Sequence, residues 1–348
     1  KLVKIVLQIL AIRFLSEGYV WWMILEAVMA GVTSYVLDKN IRKAYPWLSP
    51  NPGQGRELQK IYPGIITKTK QIFFHKIGGF VLTQTSPLII YAYASLTLVA
   101  IYGNYMLIVA GVTMLVNALL NSISAGVGSL VAEGNKKKIK SVFWELTALR
   151  MWLASVICFG MYMLSDSFIT LWVGEAYILP QSAFIVLLLN TFIGLSRTND
   201  AFLGAYGLYQ DIWAPVAEAT LNLGLSILLG YFFGLTGILS GVLISLLVVV
   251  YSWKPYFLYK KGFKESISEY ILRYVKYLGL LLVSYWISDK IIDRFIHLSV
   301  AHYRQWILYA SLILGIYMYI SLLLLMLTDK SSRKFATRIY KAVRRRSA

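Results

Sequence analysis

Long, nearly uncharged apolar runs limit the folds open to this chain more than any other feature. A helix needs about 20 largely apolar residues to cross roughly 30 Å of hydrocarbon. The runs are continuous rather than alternating, which favours helices over the strands of a barrel. The sequence therefore predicts an all-α, polytopic transmembrane helix bundle. Nine segments are long enough, at about 19–37, 76–95, 98–131, 139–163, 180–207, 212–232, 235–258, 269–288 and 305–327.

The composition agrees with this prediction. Apolar residues make up 58% of the 348 residues and charged residues only 14%, against about 45–50% and about 25% in soluble domains. The single cysteine, Cys158, excludes an internal disulfide and a cysteine metal site. A tenth apolar run, at 2–15, is short and carries Lys4 and Arg13, unlike a cleavable signal. We interpret Lys1 as a cut end and expect an N-terminally truncated protein.

The cationic residues predict the orientation of the spans, since Lys and Arg are enriched in cytoplasmic loops. If the loop 132–140 is cytoplasmic, alternation puts 26 of the 34 Lys and Arg residues inside and four outside. We therefore expect a cytoplasmic C-terminus with a basic tail at 329–348. Such a tail is typical of contact with anionic membrane lipid or of topology signals, so nucleic acid is not an expected partner.

The longest predicted loop is the cytoplasmic segment 38–75. It has three prolines within seven residues, which break any helix there. Residues 61–75 then form an amphipathic pattern typical of a helix on the inner leaflet. This segment is interpreted as a connector between two helix bundles.

No arrangement typical of an enzyme is found in the sequence. The three histidines lack metal-ligand spacing, and there is no phosphate-binding glycine loop or nucleophile elbow. We therefore expect no catalytic residues, no metal and no cofactor. A membrane polymerase or glycosyltransferase is a weaker hypothesis, because neither a large outer loop nor an acidic metal site is visible.

Charged residues inside the predicted spans are the strongest functional signal, because they are costly in a membrane. Arg150 and Arg197 lie ten or eleven residues from the inner ends of their spans, which is roughly 15 Å of helix. Asp200, Glu218 and Glu145 lie below them in the inner half. Two interpretations stay open: a polar cavity whose arginines attract phosphate or another anion, or structural ion pairs, Arg197–Asp200 and Glu145–Arg150.

Polar stripes accompany these charges and favour the cavity. Asn190 is seven residues before Arg197, on the same helix face. Pro87 predicts a kink in the span 76–95 that frees backbone carbonyls. The acidic residues are interpreted as sites of ion coupling or charge balance. Two further stripes share a four-residue spacing: Glu218, Asn222 and Ser226, and also Thr113, Asn117 and Asn121 with Ser124 and Gly128.

Several motifs resemble those of one transporter family over roughly 40–265. They are Tyr102-Gly103-Asn104-Tyr105, Val131-Ala132-Glu133-Gly134-Asn135-Lys136, Leu171-Trp172-Val173-Gly174-Glu175-Ala176-Tyr177, Gly207-Leu208-Tyr209-Gln210-Asp211-Ile212-Trp213-Ala214-Pro215, Gly234-Leu235-Thr236-Gly237-Ile238 and Trp253-Lys254-Pro255-Tyr256. The chain resembles bacterial polysaccharide transporters, the O-antigen flippases of Wzx type. Their superfamily (multidrug/oligosaccharidyl-lipid/polysaccharide, MOP) also includes drug antiporters of the MATE fold. Family members often carry an acidic residue where this chain has Ser86, and the resemblance therefore does not extend to ion coupling through that helix.

The resemblance implies two helix lobes around a central cavity, in the bacterial inner membrane. The implied domains are 1–37 (last helices of the N-terminal lobe), 38–75 (lobe connector), 76–258 (C-terminal six-helix lobe), 259–328 (two additional helices) and 329–348 (basic tail).

The resemblance also implies a function. The substrate would be an undecaprenyl-pyrophosphate-linked oligosaccharide, moved by alternating access, with other polysaccharide assembly proteins as partners. Arg150, Arg197, Asn117, Asn121, Asn190 and Asn222 are the candidate substrate-cavity residues. The alternative is ion-coupled efflux of drugs or organic cations by the same fold. A chain without the first lobe is expected to be inactive.

Overall fold

The computed structural model describes residues 2–48, 52–93, 95–296, 301–329 and 331–334. It is 89% helix, with no strand in the described ranges. The chain divides into two compact units, Lys1–Thr67 (unit 1) and Lys68–Ala348 (unit 2). The boundary between them falls inside the segment 38–75 that the sequence predicts as a connector. The all-α prediction is confirmed.

Unit 1 contains a pair of packed helices, α1 (Leu2–Phe14) and α2 (Gly18–Ala44), followed by α3 (Pro52–Ile61). The turn between α1 and α2 is tight, since a Cβ on Gly18 would lie 2.7 Å from the Cα of Ile12. Lys4 Nζ donates to both carboxylate oxygens of Glu26, at 2.6 and 2.7 Å. This ion pair joins the two helices along their apolar length.

The described residues of unit 2 form nine α-helices. A helix that contains proline beyond its first turn lacks one backbone hydrogen bond, and Pro87 has this effect inside α4. The helix bounds are α4 Pro63–Tyr93, which begins before the unit boundary, α5 Leu96–Ala132, α6 Lys136–Trp172, α7 Gln181–Leu195, α8 Asn199–Ala205, α9 Trp213–Leu246, α10 Lys254–Phe257, α11 Ser268–Phe295 and α12 Tyr303–Thr328. Wider π-helical turns at Leu247–Trp253 and Leu258–Phe263 flank α10.

Side-chain caps explain where two of the long helices begin. Ser95 Oγ accepts a hydrogen bond from the Leu98 N–H at the start of α5, and Asn135 Oδ1 accepts one from Lys138 N–H at the start of α6. Both bonds satisfy N–H groups that have no partner within the helix. Gly134, with φ of 73°, makes the left-handed turn between α5 and α6.

Helix α6 lies at the centre of unit 2 and contacts α5, α7, α11 and α12. At its N-terminal end, buried aromatic side chains from four helical segments pack together, with Phe143 and Trp144 of α6 in the middle. Farther along, Phe159 stacks on Tyr317 of α12, with ring centroids 4.1 Å apart. The buried side chains of unit 2 are therefore arranged along the length of α6.

Helix α9 folds back on itself at Gly234, whose φ of 55° and ψ of −137° are not helical. Ser226 Oγ donates to the Ile238 carbonyl at 2.9 Å, although twelve residues separate them. The two arms, 213–233 and 235–246, therefore form an antiparallel hairpin. This matches the two predicted spans 212–232 and 235–258.

Five helices of the described part are long and apolar enough to cross a membrane, by length and composition. Their ranges are Gly18–Ala44, Leu96–Leu120, Lys136–Trp172, Trp213–Phe263 and Tyr303–Thr328. Because Trp213–Phe263 contains the α9 hairpin, these five ranges coincide with six of the nine predicted spans.

The other three predicted spans differ from the structure in informative ways. The predicted helix 180–207 is interrupted at 196–198, which divides it into α7 and α8. The predicted surface segment 61–75 and span 76–95 form one helix, α4, because no proline separates Pro63 from Pro87. The span 269–288 lies within α11, whose Arg273 and Lys276 lower its mean hydropathy.

Candidate functional site

A cavity of about 400 Å³ lies inside unit 2, among α4, α5, α7, the α9 hairpin and α10. Most of its wall is apolar, and the polar side chains are concentrated on a few positions. Three residues predicted from the sequence line it: Asn190, Arg197 and Glu218. The charged side chains thus face a space between helices, of which α5 and the segment Trp213–Phe263 are long and apolar enough to cross a membrane. The residues that supply polar groups are Ser86, Tyr102, Thr113, Asn190, Thr191, Arg197, Glu218 and Lys254.

A three-residue charge cluster lies at this cavity. Arg197 Nε is 2.8 Å from Oδ2 of Asp200, and Lys254 Nζ is 3.0 Å from Oδ1 of the same carboxylate. Arg197 and Lys254 belong to the cavity wall, whereas Asp200 is not a lining residue. Arg197 and Asp200 thus form the ion pair that one of the two open interpretations describes, and Asp200 is shared between two cations.

The interruption between α7 and α8 puts Arg197 and Asp200 in place. Ser196 Oγ lies 2.8 Å from the Tyr251 hydroxyl, and Asn199 Nδ2 donates to the Tyr270 hydroxyl at 3.1 Å. Tyr251 belongs to the π-helical turn and Tyr270 to α11. The two hydroxyl groups therefore bind the segment between α7 and α8 at both of its ends. Irregular backbone at membrane depth occurs where it is buried in protein or lines a cavity.

Lys254 is the main site residue that sequence reasoning missed. Its side chain is only 11% exposed, although it is one of the 26 Lys and Arg residues that alternation puts on the cytoplasmic side. Pro255 has no N–H to donate, and the π-helical turns beside it accommodate the missing bond while keeping the chain helical. One feature of the sequence could have identified it: Lys254 lies inside the predicted span 235–258, where a charged side chain is costly.

Glu218 is buried, and its Oε1 has no hydrogen-bond partner among the described residues. It lies close enough to Arg197 for an electrostatic interaction. Asn222, one turn further, is fully buried, and neither atom of its side-chain amide has a partner in the described part of the chain. With Ser226 these residues form the buried face of the first arm, as their spacing predicts.

Asn190 connects α7 to the second arm of the hairpin. Its Nδ2 donates to the Leu239 carbonyl at 3.0 Å, while its Oδ1 has no partner in the described ranges. An amide that is half satisfied at the edge of a cavity can accept one more hydrogen bond from a ligand.

Arg150 and Glu145 on α6 are not paired with each other. Arg150 is half-buried, makes no ion pair within 4 Å with a described residue, and interacts electrostatically with Asp200. Glu145 is buried and accepts a hydrogen bond from Ser141 at 3.0 Å. Residues five apart lie on different helix faces, which explains why the expected Glu145–Arg150 pair does not form. Neither residue lines the cavity.

The remaining predicted residues lie at different distances from the cavity. Asn117 is exposed on α5 and is not a lining residue, whereas Thr113, one turn earlier, is. The side chain of Asn121 lies outside the described residues. Pro87 is inside α4, and its neighbour Ser86 lines the cavity beside Tyr102.

Within the described ranges, no group of three or more His, Cys, Asp or Glu residues could hold a metal ion. Two cations that share a carboxylate, with a buried unpaired carboxylate nearby, can bind and release small charged groups.

The described residues are all-helical, and five of their helices are long and apolar enough to span a membrane, which is consistent with a membrane protein. No family model matches the chain, and neither a curated protein nor a solved structure does.

Proposed function

We propose that this chain is part of an inner-membrane flippase for undecaprenyl-pyrophosphate-linked oligosaccharide, a repeat unit of O-antigen or another surface polysaccharide. The motif resemblance suggests the family, with two lobes of a MOP or MATE-like fold that alternate access to the cavity. The observation that carries the proposal is the pair Arg197 and Lys254, which face one cavity in an apolar bundle.

Physical chemistry supports a phosphorylated substrate. A guanidinium group can donate two parallel hydrogen bonds to phosphate oxygens, and an ammonium group adds a compact charge. Both groups interact more strongly with an anion in a site of low dielectric constant than they would in water. Asn190 and Tyr102 supply neutral groups in the same wall, which suit the hydroxyl groups of a sugar.

Ion-coupled efflux of organic cations is the second candidate, and Glu218 is the observation that favours it. A buried carboxylate with an unpaired oxygen in the cavity wall could accept a proton or a cation. Against this candidate, Arg197 and Lys254 line the same cavity and would repel a cationic drug.

The proposal is tested in a strain that lacks the gene and is complemented with variants of it. We expect Arg197→Ala to abolish surface polysaccharide, and Arg150→Ala to reduce it. The amount of each variant in the membrane fraction should stay near that of the unmodified protein. Arg294→Ala is the matched control, because Arg294 is exposed at the end of α11, and it should restore polysaccharide fully.

Two results would contradict the proposal. Restored polysaccharide in the double variant Arg150→Ala, Arg197→Ala would remove both arginines from the transport path. Drug resistance conferred by the gene, with surface polysaccharide unchanged by its deletion, would favour the efflux candidate.

A further inference from the structure

The geometry around Asp200 points to a role beyond charge balance. We propose that Asp200 is an internal counter-anion that occupies Arg197 and Lys254 while the cavity is empty, and that the phosphate or pyrophosphate group of the ligand displaces it. The identity of the ligand rests on the proposed function, whereas displacement of Asp200 by an anion can be tested without it.

The arrangement of the three side chains resembles that of a bound phosphate. Each oxygen of the Asp200 carboxylate contacts a different cation, with Arg197 Nε at 2.8 Å and Lys254 Nζ at 3.0 Å. Phosphate offers the same pattern of oxygens about a central atom, and it accepts charge-assisted hydrogen bonds from the same donors. Any anion that enters the pair must therefore compete with Asp200.

The two cations are accessible from the cavity, whereas Asp200 is not part of its wall. Arg197 uses its Nε for Asp200, and no described residue accepts a hydrogen bond from its two terminal amino groups. An anion in the cavity can thus contact these groups before the Asp200 contact breaks. Ligand entry and departure of Asp200 can then overlap, so the cations are never left unpaired.

The exposed fractions of the side chains indicate which partner can move. The Asp200 side chain is 39% exposed, but that of Lys254 is 11% exposed. The carboxylate is therefore less confined by neighbouring atoms and has more room to move than the buried ammonium group. Leaving a buried cation without a partner is expensive, which makes exchange of anions more favourable than opening of the pair.

The test measures binding of inorganic pyrophosphate to the purified protein in detergent by isothermal titration calorimetry. Asp200→Asn keeps the shape of the side chain and removes the competing charge, so we expect a dissociation constant about tenfold lower than in the unmodified protein, as for removal of a competing bound state. Lys254→Gln should weaken binding by about tenfold, which corresponds to the loss of one charge-assisted contact.

Glu218→Gln is the matched control, since it removes a carboxylate charge from the same cavity without freeing any donor of Lys254. Its effect on affinity should be smaller than that of Asp200→Asn. Equal effects of the two variants would reduce Asp200 to a contribution to net charge and overturn the proposal. A folded Asp200→Asn variant that binds pyrophosphate no more tightly than the unmodified protein would also overturn it.

Asp200→Asn also leaves two cations without their partner, so its thermal unfolding is measured in parallel. If that variant does not fold, Lys254→Gln alone decides, because it retains the Arg197–Asp200 pair. Unchanged pyrophosphate affinity in folded Lys254→Gln would show that the cation pair is structural.

Farnesyl pyrophosphate distinguishes the possible sources of the anion. Tighter binding than inorganic pyrophosphate, with the same response to Asp200→Asn, supports a lipid-linked ligand. Equal binding of the two compounds supports displacement by a free anion and removes support from the flippase proposal. The two proposals can therefore fail separately.

Discussion

Several of the buried polar atoms that have no hydrogen-bond partner among the described residues belong to side chains in or next to the cavity wall. Both atoms of the Asn222 amide, one oxygen each of Asn190 and Glu218, and the Thr198 hydroxyl are buried, with no partner among the described residues. Such atoms are costly in an apolar core, because each has lost its hydrogen bond to water. Because Asn190 and Glu218 line the cavity, a ligand there could supply the partners that their oxygens lack.

Asn222 makes no side-chain hydrogen bond with a described residue, whereas Asn190 makes one, so we expect opposite effects when each is replaced by leucine. Asn222→Leu should raise stability by about 1–2 kcal/mol, because it removes two unsatisfied groups and keeps the branched shape of the side chain. Asn190→Leu should lower stability by about 0.6 kcal/mol, the average for hydrogen bonds between membrane helices, since it breaks the bond to the Leu239 carbonyl. Thermal unfolding in detergent, followed by tryptophan fluorescence, measures both. A larger loss of stability in Asn222→Leu than in Asn190→Leu would contradict the prediction.

Part of the site could be predicted from individual residues. Charges in long apolar runs are conspicuous, and helical spacing assigns Asn190 and Arg197, or Glu218 and Asn222, to one face. Lys254 could not be predicted in this way, since a lysine near the end of a span is normally solvated. The role of Lys254 is visible only from its contact with Asp200, which lies 54 positions earlier in the chain.

Glycines hold the α9 hairpin together. A Cβ on Gly237 would lie 2.0 Å from the Leu229 carbonyl oxygen, and one on Gly241 would lie 2.3 Å from the Ser226 nitrogen. The backbones of the two arms therefore touch, as in other membrane helix pairs with small residues at four-residue spacing. The same contact explains why Ser226 can reach the Ile238 carbonyl.

Substitution of these glycines should separate the arms. Gly237→Ala is expected to lower stability by about 3 kcal/mol or more, since the clash is with backbone and cannot be relieved by a side-chain rotation. Gly224→Ala, on the same helix with nothing within 4 Å of its added Cβ, should be neutral or raise stability by about 0.5–1 kcal/mol. Chemical unfolding in a mixed detergent measures both, and equal effects would show that the close contact is unimportant.

The interruption between α7 and α8 was not predicted, although residues 196–200 read Ser-Arg-Thr-Asn-Asp. Ser, Thr, Asn and Asp favour caps and turns over helix interiors, but the length of the predicted span 180–207 outweighed this local signal. Tertiary bonds from Tyr251 and Tyr270 to Ser196 and Asn199 stabilise the irregular backbone instead. The long helices α5, α6 and α12 could be predicted, because their length and apolar content leave few alternatives.

For the whole molecule, the predicted orientation has a direct test. Single cysteines are introduced in a Cys158→Ser background at Lys137 and at Arg304, which are both exposed. Lys137 is at the start of α6, whereas Arg304 is at the start of α12, which lies beside the end of α6. A membrane-impermeant maleimide should label Lys137→Cys only in inside-out vesicles and Arg304→Cys only in intact spheroplasts, since the positive-inside rule assigns Lys137 to the cytoplasm. The reverse labelling pattern would invert the topology and make the C-terminus extracytoplasmic.

The backbone contact in the α9 hairpin also limits how the cavity can change shape. Glu218 lies on one arm and Leu239 and Val242 on the other, so a single stiff body supplies all three to the wall. Widening the cavity by separating the two arms would break the close backbone contact between Gly237 and the Leu229 carbonyl. If the hairpin moves during transport, we expect its two arms to move together. Lys254, which follows the second arm along the chain, would then move relative to Asp200 on α8.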